Sequence, residues 1–153
     1  MTIEDDIAFF ERVPTLNMLG RAALRILAIG AESRYVHSGE ILFSAGDAAD
    51  SAFIVQEGTF SLTARQGEGG NDVVVGRGTL LGELALLTET VRPVTATAKE
   101  PSTVLRVPRT LFLKMLEGYP DAARQLRDVI ANRADQSTRE IYGVRNALDG
   151  RRY

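Results

Sequence analysis

The sequence predicts a mainly β domain, an antiparallel sandwich or barrel with helices at both ends. Short apolar segments alternate with turn residues through the middle of the chain, at spacings of roughly 8–12 residues. Apolar residues recur with helical periodicity before and after this region. The length of 153 residues fits one domain. We therefore expect a single domain over residues 1–153, with helices in 3–30, strands in 34–107 and helices in 108–147.

The N-terminal helical region is predicted to consist of two parts, because Pro14 breaks the first helix. Thr15 and Asn17 are candidate N-caps for the second helix, and Gly30 is a plausible stop. Apolar residues recur at i, i+3, i+4 spacing in this second helix and predict its buried face. They are Met18, Leu19, Ala22, Ala23, Ile26 and Leu27.

The predicted strands are short apolar runs, most of them followed by glycine-containing turns. They are Tyr35–Val36, Ile41–Phe43, Phe53–Val55, Phe60–Leu62, Val73–Val75, Val94–Ala98 and Val104–Val107. Residues 82–91 differ, because they contain good helix formers. We therefore expect a short helical turn to interrupt the strands there.

The C-terminal region is predicted to hold two helices. Pro108 suits a first helical turn, Gly118 ends that helix, and Pro120 and Asp121 begin a last helix that reaches about Ala147. The first of these helices presents one apolar face, made of Leu111, Phe112, Met115 and Leu116. The last helix carries an approximate heptad seam, made of Leu126, Ile130, Ala134, Ser137, Ile141, Val144 and Leu148. The apolar end of this helix could dock on its own domain, on a second copy or on another protein. The spacing favours helix pairing, so of these we expect a homodimer.

Composition argues against several classes of protein. The chain has no cysteines, which excludes disulfides and thiolate metal sites and suits a cytoplasmic location. Its formal net charge of −2 gives no basic bias toward nucleic acid. We find no signal peptide, no apolar run of roughly 20 residues for a membrane span, and no catalytic or metal-binding constellation. We expect a protein that is not an enzyme, needs no resident cofactor, and binds neither membrane nor DNA by itself.

The segment from Gly82 to Arg92 combines three groups that suit one kind of anion. Gly82 allows close approach of the backbone, and the N–H groups that follow it suit phosphate oxygens. The guanidinium of Arg92 supplies a positive charge and a planar fork of donors. Glu83 supplies a carboxylate that accepts a hydrogen bond from a sugar hydroxyl. This set fits a phosphate that bridges a ribose.

Two motifs resemble those of cyclic-nucleotide-binding domains. Residues 82–87, Gly-Glu-Leu-Ala-Leu-Leu, followed by Arg-Pro-Val-Thr-Ala at 92–96, look like the phosphate-binding cassette of that family. Residues 37–58 look like its glycine-marked strand pairs. The family includes protein kinase A regulatory subunits, cyclic-nucleotide-gated channels and the bacterial catabolite activator protein. The resemblance covers residues 10–145 and implies an eight-stranded antiparallel β-roll of jelly-roll type (a double-stranded β-helix), with N-terminal helices and a long C-terminal helix.

The resemblance also implies the site residues. Glu83 matches the ribose-contacting glutamate, and Arg92 matches the phosphate-binding arginine. Gly82, Leu84 and Ala85 match the backbone donors at the start of the helical turn. The full set of predicted ligand-binding residues is Gly82, Glu83, Leu84, Ala85, Arg92, Pro93, Val94 and Val74.

Pro93 departs from the family pattern. It lies where the family usually has a residue whose N–H, and sometimes hydroxyl, touches the phosphate, and proline has no N–H. The missing hydrogen bond is worth about 1.5–3 kcal/mol, or roughly tenfold to a hundredfold in affinity. Members that prefer cGMP often carry Thr or Ser there, so Pro93 favours cAMP.

Three functional hypotheses follow. The first is a stand-alone cyclic-nucleotide sensor, for cAMP in preference to cGMP, that acts on an unknown protein partner through its C-terminal helix. The second is an interaction or scaffold module that keeps the β-roll without binding nucleotide, in which Glu83 pairs internally with Arg92. The third is a relative of transcription factors that lacks the DNA-reading helix-turn-helix. Glu83 together with Arg92 favours the sensor, and Pro93 favours the scaffold.

Overall fold

The computed structural model describes residues 2–64, 72–129 and 132. Its N-terminal part contains α1 (Ile3–Phe10), a first 3₁₀ turn (Leu16–Met18) and α2 (Arg21–Gly30). Thr2 caps α1 through a capping box with Asp5. The predicted interruption between two helices is therefore present, but Gly20 rather than Thr15 or Asn17 is the N-cap of α2.

The buried face of α2 differs from the predicted one. Ala23 and Leu27 are buried as expected, but Leu24 and Ala28 complete the face, whereas Ala22 and Ile26 are exposed. Because the 3₁₀ turn and Gly20 interrupt the helix, the periodicity that begins at Met18 does not continue in phase into α2.

The strands fall close to the predicted region and run from residue 32 to residue 108. They are β1 (Glu32–Val36), β2 (Ile41–Phe43), β3 (Ala48–Ala49), β4 (Ser51–Glu57), β5 (Phe60–Thr63), β6 (Val73–Val75), β7 (Leu80–Leu81), β8 (Thr90–Val91), β9 (Thr95–Ala98) and β10 (Ser102–Pro108). A second 3₁₀ turn (Glu83–Leu86) lies between β7 and β8, where the sequence predicts a helical turn.

These strands form an antiparallel β-roll with flanking helices, as the sequence predicts. One four-stranded sheet has the order β1-β10-β4-β7, and the other has the order β2-β9-β5-β6. Every pair in both sheets is antiparallel. The two sheets hold eight strands, and β3 and β8 form a separate two-stranded ribbon within the described residues.

Two helices follow the sheets. The first is α3 (Arg109–Glu117), with Pro108 as N-cap and Gly118 as C-cap. Its residues Phe112, Met115 and Leu116 are buried, as the predicted face requires. The second, α4, is helical over 120–129 and again at 132. Leu126 is fully buried, and the other predicted seam positions from Ile130 to Leu148 lie outside the described residues.

Two hydrophobic clusters lie on opposite sides of β4 and β10. The outer cluster packs α1, α2 and α3 against Ala52, Ile54 and Leu105. The inner cluster fills the roll between the two sheets and includes Phe53 and Val55. Residues 51–56 are buried without interruption because alternate side chains of β4 enter different clusters. No helix in the described part of the chain is long and apolar enough to cross a bilayer.

Candidate functional site

Gly82 begins the second 3₁₀ turn in a conformation that favours glycine. Its φ of 81° and ψ of 35° are left-handed, where an L side chain is strained. A Cβ there would overlap Nη1 of Arg92 and would lie 3.3 Å from the carbonyl oxygen of Ser51. The absence of a side chain at Gly82 thus makes room for the guanidinium of Arg92. The approach of the Gly82 backbone to a phosphate stays a prediction.

Arg92 is a buried guanidinium at the centre of this site. Its residue is only 4% exposed, and its Cζ lies 4.5 Å from the ring centre of Phe43 and 5.4 Å from that of Phe53. Nη2 donates to Ser51 Oγ at 3.4 Å. Nη1 is buried and has no hydrogen-bond partner among the described residues. One strong donor of a charged group therefore lies buried beside Gly82 without an acceptor among the described residues.

The backbone around Arg92 is anchored on both sides. Its N–H donates to the carbonyl oxygen of Asp47 at 2.8 Å, and its own carbonyl accepts from the N–H of Gly46 at 2.8 Å. The glycine-marked turn before β3 and the strand end after β8 therefore hold each other. Gly46 and Asp47, within the motif at 37–58, therefore position the arginine that begins the motif at 92–96.

The electrostatics of Arg92 favour an anionic partner. Burial lowers the pKa of Arg92, while the charges of Asp50 and Asp47 raise it in part. An arginine remains protonated even so. A buried cation without a hydrogen-bonded anion is costly, and an anion that accepts from Nη1 would offset that cost.

Glu83 lies half-buried at the start of the same turn. Its Oε2 accepts a hydrogen bond from the hydroxyl of Thr15, which comes from the N-terminal region, 68 positions earlier in the chain. Sequence reasoning predicts Thr15 as a helix cap and misses this contact. No local pattern could have revealed it, because the contact depends on how α1 and α2 pack against the roll.

The turn residues after Glu83 differ in their surroundings. Ala85 is buried, and its N–H donates to the carbonyl oxygen of Gly82 at 3.0 Å. Leu84 is 45% exposed. It comes just before Ala85, whose N–H makes the first hydrogen bond given within the turn. The backbone donor predicted at Ala85 is therefore used inside the turn, whereas the one predicted at Leu84 belongs to an exposed residue.

The remaining predicted residues lie at different distances from the inner cluster. Pro93 is exposed, and Val94 is half-buried against the inner cluster. Val74 is 55% exposed and points away from that cluster, whereas Val73 and Val75 pack against it. Because side chains alternate along a strand, the structure does not bring Val74 to the face of the roll that holds Arg92. A contact from β6 to a ligand inside the roll would come from Val73 and Val75.

Three further residues shape the site and are not among the predicted ones. Phe43 and Phe53 stack with ring centres 5.9 Å apart, and the guanidinium of Arg92 lies over both rings. Arg109, at the start of α3, donates from Nη1 to the carbonyl oxygens of Ala49, Ala85 and Thr88 at 3.1, 3.2 and 2.9 Å. The end of the second 3₁₀ turn is therefore tied directly to the first residue of a helix.

Comparison with known proteins agrees with this geometry. The model of the cyclic nucleotide-binding domain matches residues 33–119, more than half of the chain. A solved cyclic nucleotide-binding-like protein from Brucella abortus is 37% identical, with a TM-score of 0.66, over 74% of this chain and 98% of that one. The N-terminal domain of a transcriptional regulator from Streptomyces coelicolor is 26% identical, with a TM-score of 0.75, over 87% of this chain and 94% of that one.

A third relative is much longer than this chain. A lysophospholipase from Pyricularia oryzae, called NTE1, is 33% identical over 119 residues, which are 76% of this chain and 8% of that protein. The chain thus spans less than a tenth of the length of this curated relative. The matched family model covers β1 to α3, including the Gly82–Arg92 site. The chain belongs to the cyclic nucleotide-binding domain family.

Proposed function

We propose that this domain binds cAMP at the Gly82–Arg92 site and acts as a sensor. The observation that carries the proposal is the buried Arg92, whose Nη1 has no hydrogen-bond partner among the described residues. A cyclic phosphate has one negative charge and oxygens that accept from such a donor. Membership of the family supplies the ligand class, and the geometry of Arg92 supplies the point of attachment.

The other site residues fit the rest of the ligand. The Glu83 carboxylate would accept from the ribose hydroxyl, and the Leu84 N–H would donate to the phosphate. The base would lie toward Val73 and Val75, which pack beside the inner cluster. Pro93 offers no N–H and no hydroxyl, which supports cAMP over cGMP and predicts moderate affinity.

Calorimetric titration of the purified domain with cAMP tests this proposal. Wild type should bind, and Arg92→Ala should weaken binding by at least about a hundredfold, because a bound phosphate would lose its buried partner. Arg34→Ala, which removes an exposed arginine on β1, is the matched control and should bind like wild type. Thermal melts should show that both variants are folded.

The same titration with cGMP tests the preference. We expect cGMP to bind more weakly than cAMP. Equal affinities of wild type and Arg92→Ala for cAMP would show that Arg92 does not hold the phosphate.

A second candidate function is an interaction module without nucleotide. The hydrogen bond between Thr15 and Glu83 favours it, because it engages the ribose-binding carboxylate within the protein. The missing N–H of Pro93 points the same way. A wild-type domain that binds neither cyclic nucleotide at millimolar concentration would favour this alternative.

The output of the sensor would be a protein contact and not a reaction. We propose a cytoplasmic, non-enzymatic domain that needs no resident cofactor and passes its signal through the C-terminal helix to a protein partner or a second copy. The match covers only 8% of the lysophospholipase, so we do not assign the activity of that protein to this chain. The transcriptional regulator domain keeps the third hypothesis open, in which DNA contact requires a partner.

A further inference from the structure

Thr15 has a backbone conformation that its side chain does not favour. Its φ of 81° and ψ of −50° make it the one non-glycine residue with positive φ in the part of the chain that the structure describes. Such a conformation is costly for a β-branched residue and persists only where the surroundings hold it. Val13 and Leu16 on either side are buried in the outer cluster, so the packing of the N-terminal region holds Thr15 in place.

This conformation aims the Thr15 side chain at the candidate site. Thr15 is 2% exposed, and its hydroxyl donates to Oε2 of Glu83 at the start of the second 3₁₀ turn. A hydrogen bond to a carboxylate from a buried donor is among the stronger kinds. The N-terminal region therefore engages the same carboxylate that a ribose hydroxyl would use.

We propose that Thr15 is a latch that competes with the ribose 2′-hydroxyl for Glu83 and thereby sets the affinity for cyclic nucleotide. This inference rests on the proposed function. When the ribose hydroxyl donates to Glu83, the carboxylate turns away from Thr15, and the buried hydroxyl loses this acceptor. Binding then exchanges one hydrogen bond for another instead of adding one. Thr15 is a positioning residue, because it acts on the ligand through Glu83.

A ligand without the 2′-hydroxyl separates competition from a structural effect. 2′-Deoxy-cAMP leaves the Thr15–Glu83 bond in place, so loss of Thr15's hydroxyl should not alter its affinity through this route. Thr15→Val removes the Thr15–Glu83 bond that cAMP must break, so cAMP should bind more tightly to this variant. Valine has nearly the same shape as threonine. The quantity to measure is the dissociation constant for 2′-deoxy-cAMP divided by that for cAMP.

We expect this ratio to be about tenfold larger in Thr15→Val than in wild type, the size of one hydrogen bond to a charged group. Thr15→Ser keeps the hydroxyl and should keep the wild-type ratio. Thr59→Val is the matched control, because the Thr59 hydroxyl donates at 2.9 Å to another carboxylate, that of Glu100. It should leave the ratio unchanged. An equal ratio in Thr15→Val and wild type would show that Glu83 serves both donors at once, and would overturn the latch.

The latch and the proposed function can fail separately. Binding of cAMP by wild type and Thr15→Val with an equal ratio overturns the latch alone, whereas no binding of cAMP by either protein overturns both. If Thr15→Val does not fold, amide hydrogen exchange of wild type replaces it. Exchange across residues 11–19 should rise with cAMP and stay unchanged with 2′-deoxy-cAMP, and the same response to both ligands would overturn the latch.

Discussion

At the residue scale, Gly82 and Arg92 depend on each other. The guanidinium occupies the space that a side chain at position 82 would need, and the left-handed backbone of Gly82 makes the turn that brings both together. The rings of Phe43 and Phe53 also lie against the guanidinium. The site therefore combines the charge of Arg92, the rings of Phe43 and Phe53, and a glycine at position 82 that leaves room for the guanidinium.

Replacing Gly82 with alanine should cost more than backbone strain alone. Gly82→Ala adds strain at positive φ and a clash with Arg92, so we expect a loss of about 2–4 kcal/mol of unfolding free energy and much weaker cAMP binding. Gly39→Ala is the matched control, because its φ is +85° and nothing lies within 4 Å of the added Cβ. Urea denaturation measures both variants. Equal losses in the two would contradict the clash.

Asp6 offers a prediction that depends on pH. Burial raises the pKa of Asp6, and Oδ1 has no hydrogen-bond partner among the described residues. The pKa of Asp6 is therefore higher in the folded state than in the unfolded chain. As pH rises from the unfolded-state pKa through the folded-state pKa, ionisation of Asp6 destabilises the fold. Asp6→Asn should raise the Tm at pH 7 by about 2 °C and make little difference near pH 3, where Asp6 is protonated in both states.

The neighbouring Asp5 is the control for this measurement. Hydrogen bonds from Thr2 lower the pKa of Asp5, so its stabilising effect is present above the unfolded-state pKa and is lost as pH falls through the folded-state pKa. Asp5→Asn should therefore not raise the Tm at pH 7. An increase for both variants would indicate a general charge effect in α1.

At the scale of elements, the second 3₁₀ turn is held at both ends. At its start, Gly82 lies against Arg92, and Glu83 accepts a hydrogen bond from Thr15. At its end, Arg109 donates to the carbonyl oxygens of Ala85 and Thr88. A turn of four residues has too few internal hydrogen bonds to be stable alone. These side chains therefore decide where the turn lies, and they connect it to both helical regions.

Loss of the Arg109 contacts should loosen the turn. Arg109→Gln removes a charged donor from three carbonyl oxygens, so we expect a loss of about 1–2 kcal/mol of unfolding free energy and weaker binding of cAMP. Lys114→Gln removes a positive charge from an exposed position on the same helix and serves as the control. Urea denaturation and calorimetry should change for Arg109→Gln alone. Unchanged cAMP affinity would show that the turn does not need Arg109 for binding.

At the scale of the whole molecule, β4 and β10 separate the inner cluster from the helical side. The inner cluster and Arg92 lie within the roll, and the outer cluster joins α1, α2, α3 and the start of α4 to the opposite face of the same strands. Coupling between ligand and helices would pass through the Thr15 and Arg109 contacts and through these shared strands. A ligand shifts such a structure only by binding its states with different affinity.

The heptad spacing of the last helix predicts self-association, although Val144 lies outside the described residues. Val144→Glu places a charge in the predicted apolar seam and should abolish the dimer in sedimentation velocity. Gln125→Glu adds the same charge on an exposed position of α4 and should leave the dimer intact. Addition of cAMP should change hydrogen exchange across 135–148. A monomeric wild type would contradict the predicted pairing of two chains through this seam.

The sequence by itself determined the order of the helices and of the longer strands, and it identified Gly82 and Arg92 as candidate site residues. The two-residue strands β3, β7 and β8 were not predicted. Glycine turns, apolar runs and helical periodicity are local signals, so the strand region, the turn at 82–91 and the buried face of α3 could all be predicted. Gly82 and Arg92 could be paired because the motif places them ten positions apart. Their physical contact then follows from the left-handed turn and the return of the chain after β8.

The tertiary structure alone decided which side chains meet. The sequence predicts Val74 as a ligand contact, but the pleat of β6 turns Val73 and Val75 inward. Ala22 and Ile26 fit a helical face, yet the break at Gly20 rotates α2 and exposes them. Thr15 reaches Glu83 across 68 positions, and Arg109 reaches back to Ala85. Such contacts have no local sequence signal, because they arise only when separate elements pack on the same strands.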